Sequence, residues 1–205
     1  MYDHIGQFEP LLPASHRRDG LLEKAHHLQR LALTAKGRAH ASVMLAIAPL
    51  LRAMNSYDTN RIEGQHTLPI EIEQASREDL AANADTRRRQ HLAVAHMHTE
   101  AWAEAHAAQT PWSQLFEPEV IRVLHQHLFE QLPAHDRLGE CGDVLVPGES
   151  RTRDVSVGGH AAPRAAAVPM FLKRLAEVYG RTRSGELAIV AVAAAHHRLT
   201  WVPVH

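Results

Sequence analysis

Histidine is the residue type in this sequence that most readily suggests chemistry, because its imidazole ring binds metals and exchanges protons near neutral pH. The 205 residues include 17 histidines, and several stand side by side or two positions apart. Zinc sites need spacings such as His-Glu-x-x-His or Cys-x-x-Cys, and neither occurs here. Two histidines at positions i and i+2 of a helix point about 200° apart, which is a poor chelate. The sequence therefore predicts no metal site, and a histidine-rich metal-binding bundle is the weakest of three hypotheses for its function.

A second candidate is the polar run that begins at Thr59, which reads Thr-Asn-Arg-Ile-Glu-Gly and carries a carboxylate at Glu63. Its pattern predicts a short polar helix that Gly64 closes, because glycine is the usual residue just after a helix end. Thr67 is placed to cap the next helix, with Pro69 in the first turn of that helix. The residues alone thus predict a helix–turn–helix corner.

A third candidate is the stretch 143–158, where the spacing of apolar residues changes to two. Valines alternate with polar residues on either side of a Pro-Gly-Glu run, which predicts a β-hairpin with an extended polar tip at residues 147–149. An isolated hairpin is marginally stable unless it packs against something or binds something. The residues of interest in it are Val144, Val146, Pro147, Gly148, Arg151, Val155, Val157 and Gly158.

Helices must position these candidates, because apolar residues recur at intervals of three and four through most of the chain. Residues 1–14 lack this periodicity and are predicted to form an arm. Pro49 is expected to kink its helix or begin a new one, since proline lacks a donor and crowds the preceding turn. The predicted helices cover residues 18–35, 39–55, 85–108, 117–131, 169–179 and 186–201. The predicted fold class is therefore all-α, or mainly α, with one β-hairpin.

The last of these helices is predicted to be the central one. From Leu187 to Ala195 its residues are apolar on every side. A soluble helix without a polar face must be wrapped by its neighbours. This one is also too short and too rich in alanine to span a bilayer.

Charge and cysteine content argue against several classes of protein. A net charge of -1 and a pI of about 7.0 give no global attraction to nucleic acid or to an anionic membrane. The single cysteine, Cys141, rules out an internal disulfide and fits a reducing compartment. The amino-terminal residues contain no apolar run of the kind that a signal peptide needs. We expect a cytoplasmic protein that binds neither nucleic acid nor membrane.

Three stretches of the sequence together resemble the Fic (Fido-domain) family. Residues 195–202, Ala-His-His-Arg-Leu-Thr-Trp-Val, are similar to the segment that leads into the Fic signature, which begins His-Pro-Phe and continues to a Gly-Asn-Gly-Arg loop. Residues 59–64 match the inhibitory pattern Ser/Thr-x-x-x-Glu-Gly. Residues 146–160 resemble the Fic flap, with its Pro-Gly-x-x-Arg and Val-x-Val-Gly-x-His runs. The three stretches follow the order of the family.

The resemblance implies a fold, an activity and a role for each stretch. The fold would be a Fic-like helical bundle around the central apolar helix, with residues 1–37 as an arm and helix and residues 38–205 as an incomplete Fic domain. Family members transfer AMP from ATP, with Mg²⁺, to a Ser, Thr or Tyr hydroxyl of a protein target. The flap, residues 143–158, would hold that target by main-chain pairing. The inhibitory segment, residues 55–64, would carry Glu63 into the space of the γ-phosphate.

The sequence departs from the family at the signature itself. The family histidine stands two residues after the tryptophan matched by Trp201, but that position is Pro203 here. His205 would be the general base only if two residues were inserted, and no Gly-Asn-Gly-Arg loop occurs. We expect these residues to bind no ATP or Mg²⁺ productively and to transfer no AMP. The alternative is a non-catalytic module that binds peptides or proteins through the flap.

A last expectation concerns the surface of the central helix. In the family, a helix that follows the signature covers it. Without that cover, part of the stretch from Leu187 to Leu199 would be an exposed apolar patch that favours self-association. We therefore expect an oligomeric or poorly soluble chain.

Overall fold

The structure is a computed structural model that describes residues 3–62, 64–138, 142, 144–157, 159–182 and 185–202. The described residues form seven α-helices, one pair of two-residue strands and short 3₁₀ turns, so the protein is mainly helical, as the periodicity predicts. Two compact units divide the chain. The first contains residues 1–38, 110–122 and 150–205, and the second contains residues 39–109 and 123–149. The predicted boundary between residues 37 and 38 stays a prediction.

Most helices begin and end close to the predicted positions, but the second helix does not. It continues through Pro49 and ends at Ile62, so its predicted end at Asn55 is wrong. Pro49 is exposed, and water can therefore bond the carbonyl group that the proline leaves without an intrahelical donor. The helices are α1 Ser15–Arg38, α2 Ala41–Ile62, α3 Pro69–Ser76, α4 Ala84–Gln109, α5 Pro118–Glu130, α6 Val168–Tyr179 and α7 Gly185–Trp201.

The first unit is built around the buried faces of α6 and α7. α6 carries apolar residues at three- and four-residue spacing, which places Phe171 and Leu175 on its buried face. The amino-terminal arm contributes Phe8, which is fully buried and lies edge-on to Phe171 with the ring centroids 5.1 Å apart. The buried core consists of Phe8, Leu11, Val168, Phe171, Leu172, Leu175, Tyr179, Ala191, Ala195 and Val202.

Polar contacts also hold the arm on α6. The Tyr179 hydroxyl donates to the backbone carbonyl of Leu11 at 2.6 Å. The Arg174 guanidinium pairs with the Glu9 carboxylate at 2.6 Å. An irregular segment needs partners for its backbone groups, and here a side chain of a neighbouring helix supplies one of them.

One side of α7 faces solvent, so the prediction that this helix is wrapped on most sides is wrong. Val190, Ala191 and Ala195 are buried, whereas Val192 is 51% exposed. α1 and α6 pack against the helix. The side that faces water exposes little apolar area and costs little free energy, because its other exposed residues are Gly185, Ala193, His196, His197 and Thr200.

In the second unit, α2 and α3 pack against α4 through buried polar groups as well as apolar ones. The buried side chain of Gln90 accepts a hydrogen bond from the Ala81 N–H at 2.8 Å and donates one to the Glu71 carbonyl at 2.9 Å. The Ser56 hydroxyl donates to the Ala93 carbonyl at 3.0 Å. Because a buried polar group without a partner is costly, these bonds favour one alignment of the helices over its neighbours.

The start of α3 differs in one detail from the prediction. The helix contains Pro69 as its first residue, as expected, but Thr67 is not its cap. The residue before the helix is Leu68, and its N–H donates to the Glu71 carboxylate at 2.7 Å. Thr67 is buried, and its hydroxyl has no hydrogen-bond partner among the residues described. The carboxylate of Glu71, in the first turn, thus bonds the N–H of the residue before the helix, and the predicted threonine cap does not form.

Candidate functional site

The two strands in the described part of the chain form a small antiparallel ribbon, which lies in the first unit. β1 is Ser156–Val157 and β2 is His160–Ala161, and Ser156 lies opposite Ala161 while Val157 lies opposite His160. In the sequence only two glycines separate the strands. Two-residue connections rich in glycine are typical of tight hairpins. Beyond the strands, the Ala162 N–H donates to the Val155 carbonyl at 3.2 Å, which continues the same register.

The predicted hairpin with its tip at residues 147–149 does not form. The prediction paired Val144 and Val146 with Val155 and Val157. Instead, Val144 forms an isolated bridge with Leu138. Pro147 has no N–H, and the N–H of Gly148 donates to the His125 ring at 2.9 Å. This stretch therefore has few groups left for a strand ladder, and the strands lie further along the chain, at residues 156–157 and 160–161.

The register of the ribbon determines which backbone N–H and C=O groups point away from it. Val157 and His160 flank the two-residue connection, so they form the hydrogen-bonded pair next to the turn. Ser156 and Ala161 then form a non-hydrogen-bonded pair, whose N–H and C=O groups point outward. Ser156 is exposed. Within the described part of the chain, the outer edge of β1 therefore presents an unpaired backbone donor and acceptor to a further strand.

Side chains fix the segment before β1 by hydrogen bonds. The Arg151 guanidinium donates to the Arg153 carbonyl at 2.7 Å and to the Pro163 carbonyl at 2.5 Å. Partial burial lowers the pKa of Arg151, although the group stays charged at neutral pH. The Asp154 carboxylate accepts a hydrogen bond from the Ala165 N–H at 2.8 Å. These contacts tie the approach to β1 to the residues before α6.

The ribbon lies at the carboxyl end of α7. The His160 ring donates through Nε2 to the Trp201 carbonyl at 3.1 Å, and the two rings lie with centroids 5.3 Å apart. The last carbonyls of a helix have no intrahelical donor, so a histidine is a suitable partner there. Trp201 in turn packs on Phe8 and Phe171, with centroid distances of 5.3 and 5.9 Å. The position of the ribbon therefore depends on the aromatic core beneath it.

The other candidate residues lie in both units or outside the described part of the chain. Val144, Val146, Pro147 and Gly148 lie in the second unit, where both valines are exposed. Arg151, Val155 and Val157 lie in the first unit, beside or within β1. Glu63, Gly158 and His205 lie outside the described residues. Thr59 is exposed on α2.

Gly64 has a clear structural role at the end of α2. Its N–H donates to the Arg61 carbonyl at 3.1 Å, and the Gln65 N–H donates to the Asn60 carbonyl at 2.7 Å. These two bonds, with φ of +75° at Gly64, make a Schellman cap. The positive φ explains the glycine of the predicted inhibitory motif without reference to a nucleotide.

Replacing Gly64 by alanine should lower the free energy of unfolding by about 1 kcal/mol, because an alanine in the left-handed region is strained. Gly64→Asn should cost less, since asparagine tolerates this conformation better. Urea denaturation measures both changes.

Gly20→Ala is the matched control, because Gly20 lies inside α1 and nothing within 4 Å would obstruct a Cβ there. That substitution should stabilise the protein by about 0.5–1 kcal/mol. Equal changes of the same sign at both glycines would contradict the cap.

The comparisons with known proteins leave the family open. No protein-family model, curated protein or solved structure matches this chain. The resemblance to the Fic family therefore rests on its motifs. No helix in the described part of the chain is long and apolar enough to cross a membrane.

The ATP and Mg²⁺ that the resemblance implies stay an expectation for this chain. The family holds both through its signature, and neither a His-Pro-Phe run nor a Gly-Asn-Gly-Arg run occurs among the 205 residues. Within the described ranges, no group of three or more His, Cys, Asp or Glu side chains could hold a metal ion.

Two residues of the site were not among the named candidates, although His160 ends the flap-like Val-x-Val-Gly-x-His run. Ser156 presents the outward backbone groups, and His160 fixes the ribbon on α7. The glycine pair between them, flanked by strand-forming residues, was the available indication. The contact of His160 with Trp201 joins residues 41 positions apart, and no local pattern predicts it.

Proposed function

We propose that this chain is a protein-docking scaffold of the Fic type, which binds an extended segment of a target protein along the outer edge of β1 and does not transfer AMP by itself. The observation that carries the proposal is the hydrogen bond between His160 and the carbonyl of Trp201. It places the ribbon beside the helix end where the family has its catalytic histidine. A target segment docked on β1 would therefore lie next to that end of α7.

The chemistry of the edge favours an extended peptide over other ligands. Strand addition needs backbone donors and acceptors at alternate residues of an exposed strand. Ser156 supplies such a pair, and the register places the backbone groups of Asp154 in the same outward phase. Main-chain pairing discriminates little between target sequences, because it uses backbone groups that all residues share. Residues of this chain outside the edge of β1 would then decide which target is bound.

Replacing Ser156 by proline should weaken peptide binding about ten-fold or more. Proline has no N–H to donate to the peptide, and its ring strains the hydrogen bond that the peptide makes with the neighbouring carbonyl group. A pool of short peptides that contain Ser, Thr or Tyr would first be screened by fluorescence polarisation, and the best binder would then be titrated into both proteins. Proline is tolerated at the outer side of an edge strand, so the ribbon should survive.

Ser156→Ala is the matched control, since it changes the same side chain and keeps the N–H. It should bind as the parent does. Two methylated versions of the peptide add a second control. One carries N-methyl groups on its odd-numbered backbone nitrogens and the other on its even-numbered ones, and only the version that blocks the N–H groups facing β1 should fail to bind. Equal binding by all the proteins and peptides would exclude strand addition at this edge.

Incubation with Mg²⁺ and ATP labelled in its α-phosphate should leave both the chain and the bound peptide unlabelled. The reason is that AMP transfer needs a general base and a phosphate-binding loop, which the resemblance places in the signature. Label on either molecule would contradict this part of the proposal while leaving peptide docking intact.

A further inference from the structure

A cavity of about 470 Å³ lies in the first unit between α1, α7 and residues 10–13. Its size falls within the roughly 300–1,000 Å³ that is usual for small-molecule sites. Leu21 and Leu28 of α1 face Ile189 and Ala193 of α7 across it, so its walls are largely apolar. None of its lining residues belongs to the edge of β1, and the inference does not rest on the proposed function.

The ionisable side chains that line the cavity are all basic residue types. Lys24, His197 and Arg198 line it, and no Asp or Glu does. The Arg198 guanidinium already donates to the Pro10 carbonyl at 2.6 Å. Lys24 is exposed and, within the described part of the chain, its ammonium group makes no hydrogen bond or ion pair. A ligand with one negative head group would find three unused donors at this lysine.

We propose that this cavity binds a single-chain amphipathic anion, a medium- or long-chain fatty acid, with its hydrocarbon chain between α1 and α7 and its carboxylate at Lys24. The apolar walls favour methylene groups, because each one removed from water contributes to affinity. Sugars and nucleotides present many polar groups that leucine, isoleucine and alanine walls cannot bond. The basic residues at the rim supply charge complementarity to a carboxylate.

The first test is a calorimetric titration of the whole chain with decanoate, dodecanoate and tetradecanoate below their micelle-forming concentrations. Each step of two methylenes should tighten binding roughly ten-fold until the chain outgrows the cavity. Dodecanol, which lacks the charge, should bind more weakly than dodecanoate. An affinity that does not change with chain length, or no saturable binding at all, would overturn the proposal.

Substitutions on α7 test the location of the chain. Ala193→Phe fills the cavity and should weaken dodecanoate binding at least ten-fold. Val192→Phe adds a ring at the next position, which is 51% exposed and does not line the cavity, and it should leave binding unchanged. Equal effects of the two substitutions would show that the acid binds elsewhere.

Substitutions on α1 test the head group. Lys24→Gln should weaken dodecanoate binding about two- to five-fold, the size of an exposed ion pair, and should leave dodecanol binding unchanged. Lys36→Gln, an exposed lysine of the same helix outside the cavity, is the matched control and should change neither. If no fatty acid binds and Ala193→Phe instead alters the sedimentation coefficient, a second copy of the chain occupies the cavity and the proposal fails.

Discussion

Replacing Phe171 by alanine is expected to lower the free energy of unfolding by about 3–5 kcal/mol, the cost of deleting a fully buried phenyl group and leaving a cavity. Phe171 is 0% exposed. Its ring meets Phe8 edge-on with centroids 5.1 Å apart and lies 5.9 Å from the ring of Trp201. The arm, α6 and the end of α7 therefore all lose packing together.

The same substitution should also loosen the ribbon, since Trp201 accepts the hydrogen bond from His160. Denaturation with urea measures the loss of stability, and near-ultraviolet circular dichroism follows the tryptophan environment. Leu31→Ala is a suitable control, because Leu31 of α1 is 54% exposed and its loss should cost no more than about 0.5 kcal/mol. A change of less than 1 kcal/mol at Phe171 would mean that the aromatic core is not packed as described.

Stability should fall as the pH rises from 10 to 12, and Tyr179 should be a main cause. Burial raises the pKa of Tyr179 to about 12, because the phenolate is poorly solvated inside the first unit. An unfolded tyrosine ionises near pH 10. Below pH 10 the phenol is neutral in both states and its contribution is complete. Between pH 10 and 12 the unfolded state loses its proton first, which removes roughly 2–3 kcal/mol.

Tyr179→Phe separates this effect from other alkaline changes. It should cost about 1–3 kcal/mol at neutral pH, because the Leu11 carbonyl loses the hydroxyl that lies 2.6 Å away. Above pH 10, however, the variant should lose stability less steeply than the parent, so the difference between the two proteins shrinks. Denaturation series at several pH values measure both slopes. Parallel slopes would show that Tyr179 ionises as easily in the folded chain as in the unfolded one.

The sequence predicts the helices well because their apolar residues keep a regular period. α6 begins near Pro169 and ends at Tyr179, as its stripe of buried residues indicates. The structure differs from the prediction for α2, where Pro49 suggested a kink or a new start but the helix continues through this exposed position. It also differs for α7, where hydrophobicity on all sides suggested a wrapped helix, but the exposed positions carry mostly small or polar residues.

The candidate site is predicted only in part, because its geometry depends on contacts distant in the chain. A hairpin was expected in residues 143–158, with its turn at the Pro-Gly-Glu run. The observed strands lie later, at residues 156–157 and 160–161. Nothing local indicates that Gly148 bonds the His125 ring or that Gln90 links α3 and α4. The glycine of the predicted inhibitory motif was correctly expected to end a helix, which its cap explains.

Amide hydrogen exchange in the presence of a bound peptide tests most directly whether the outer edge of β1 docks an extended segment. We expect the amide of Ser156 to become protected, because it would join the new strand. The amide of Ala161, which points outward from the opposite side of the ribbon, should exchange as before. Protection of Ala161 alone, or unchanged exchange at Ser156 with the peptide bound, would contradict it.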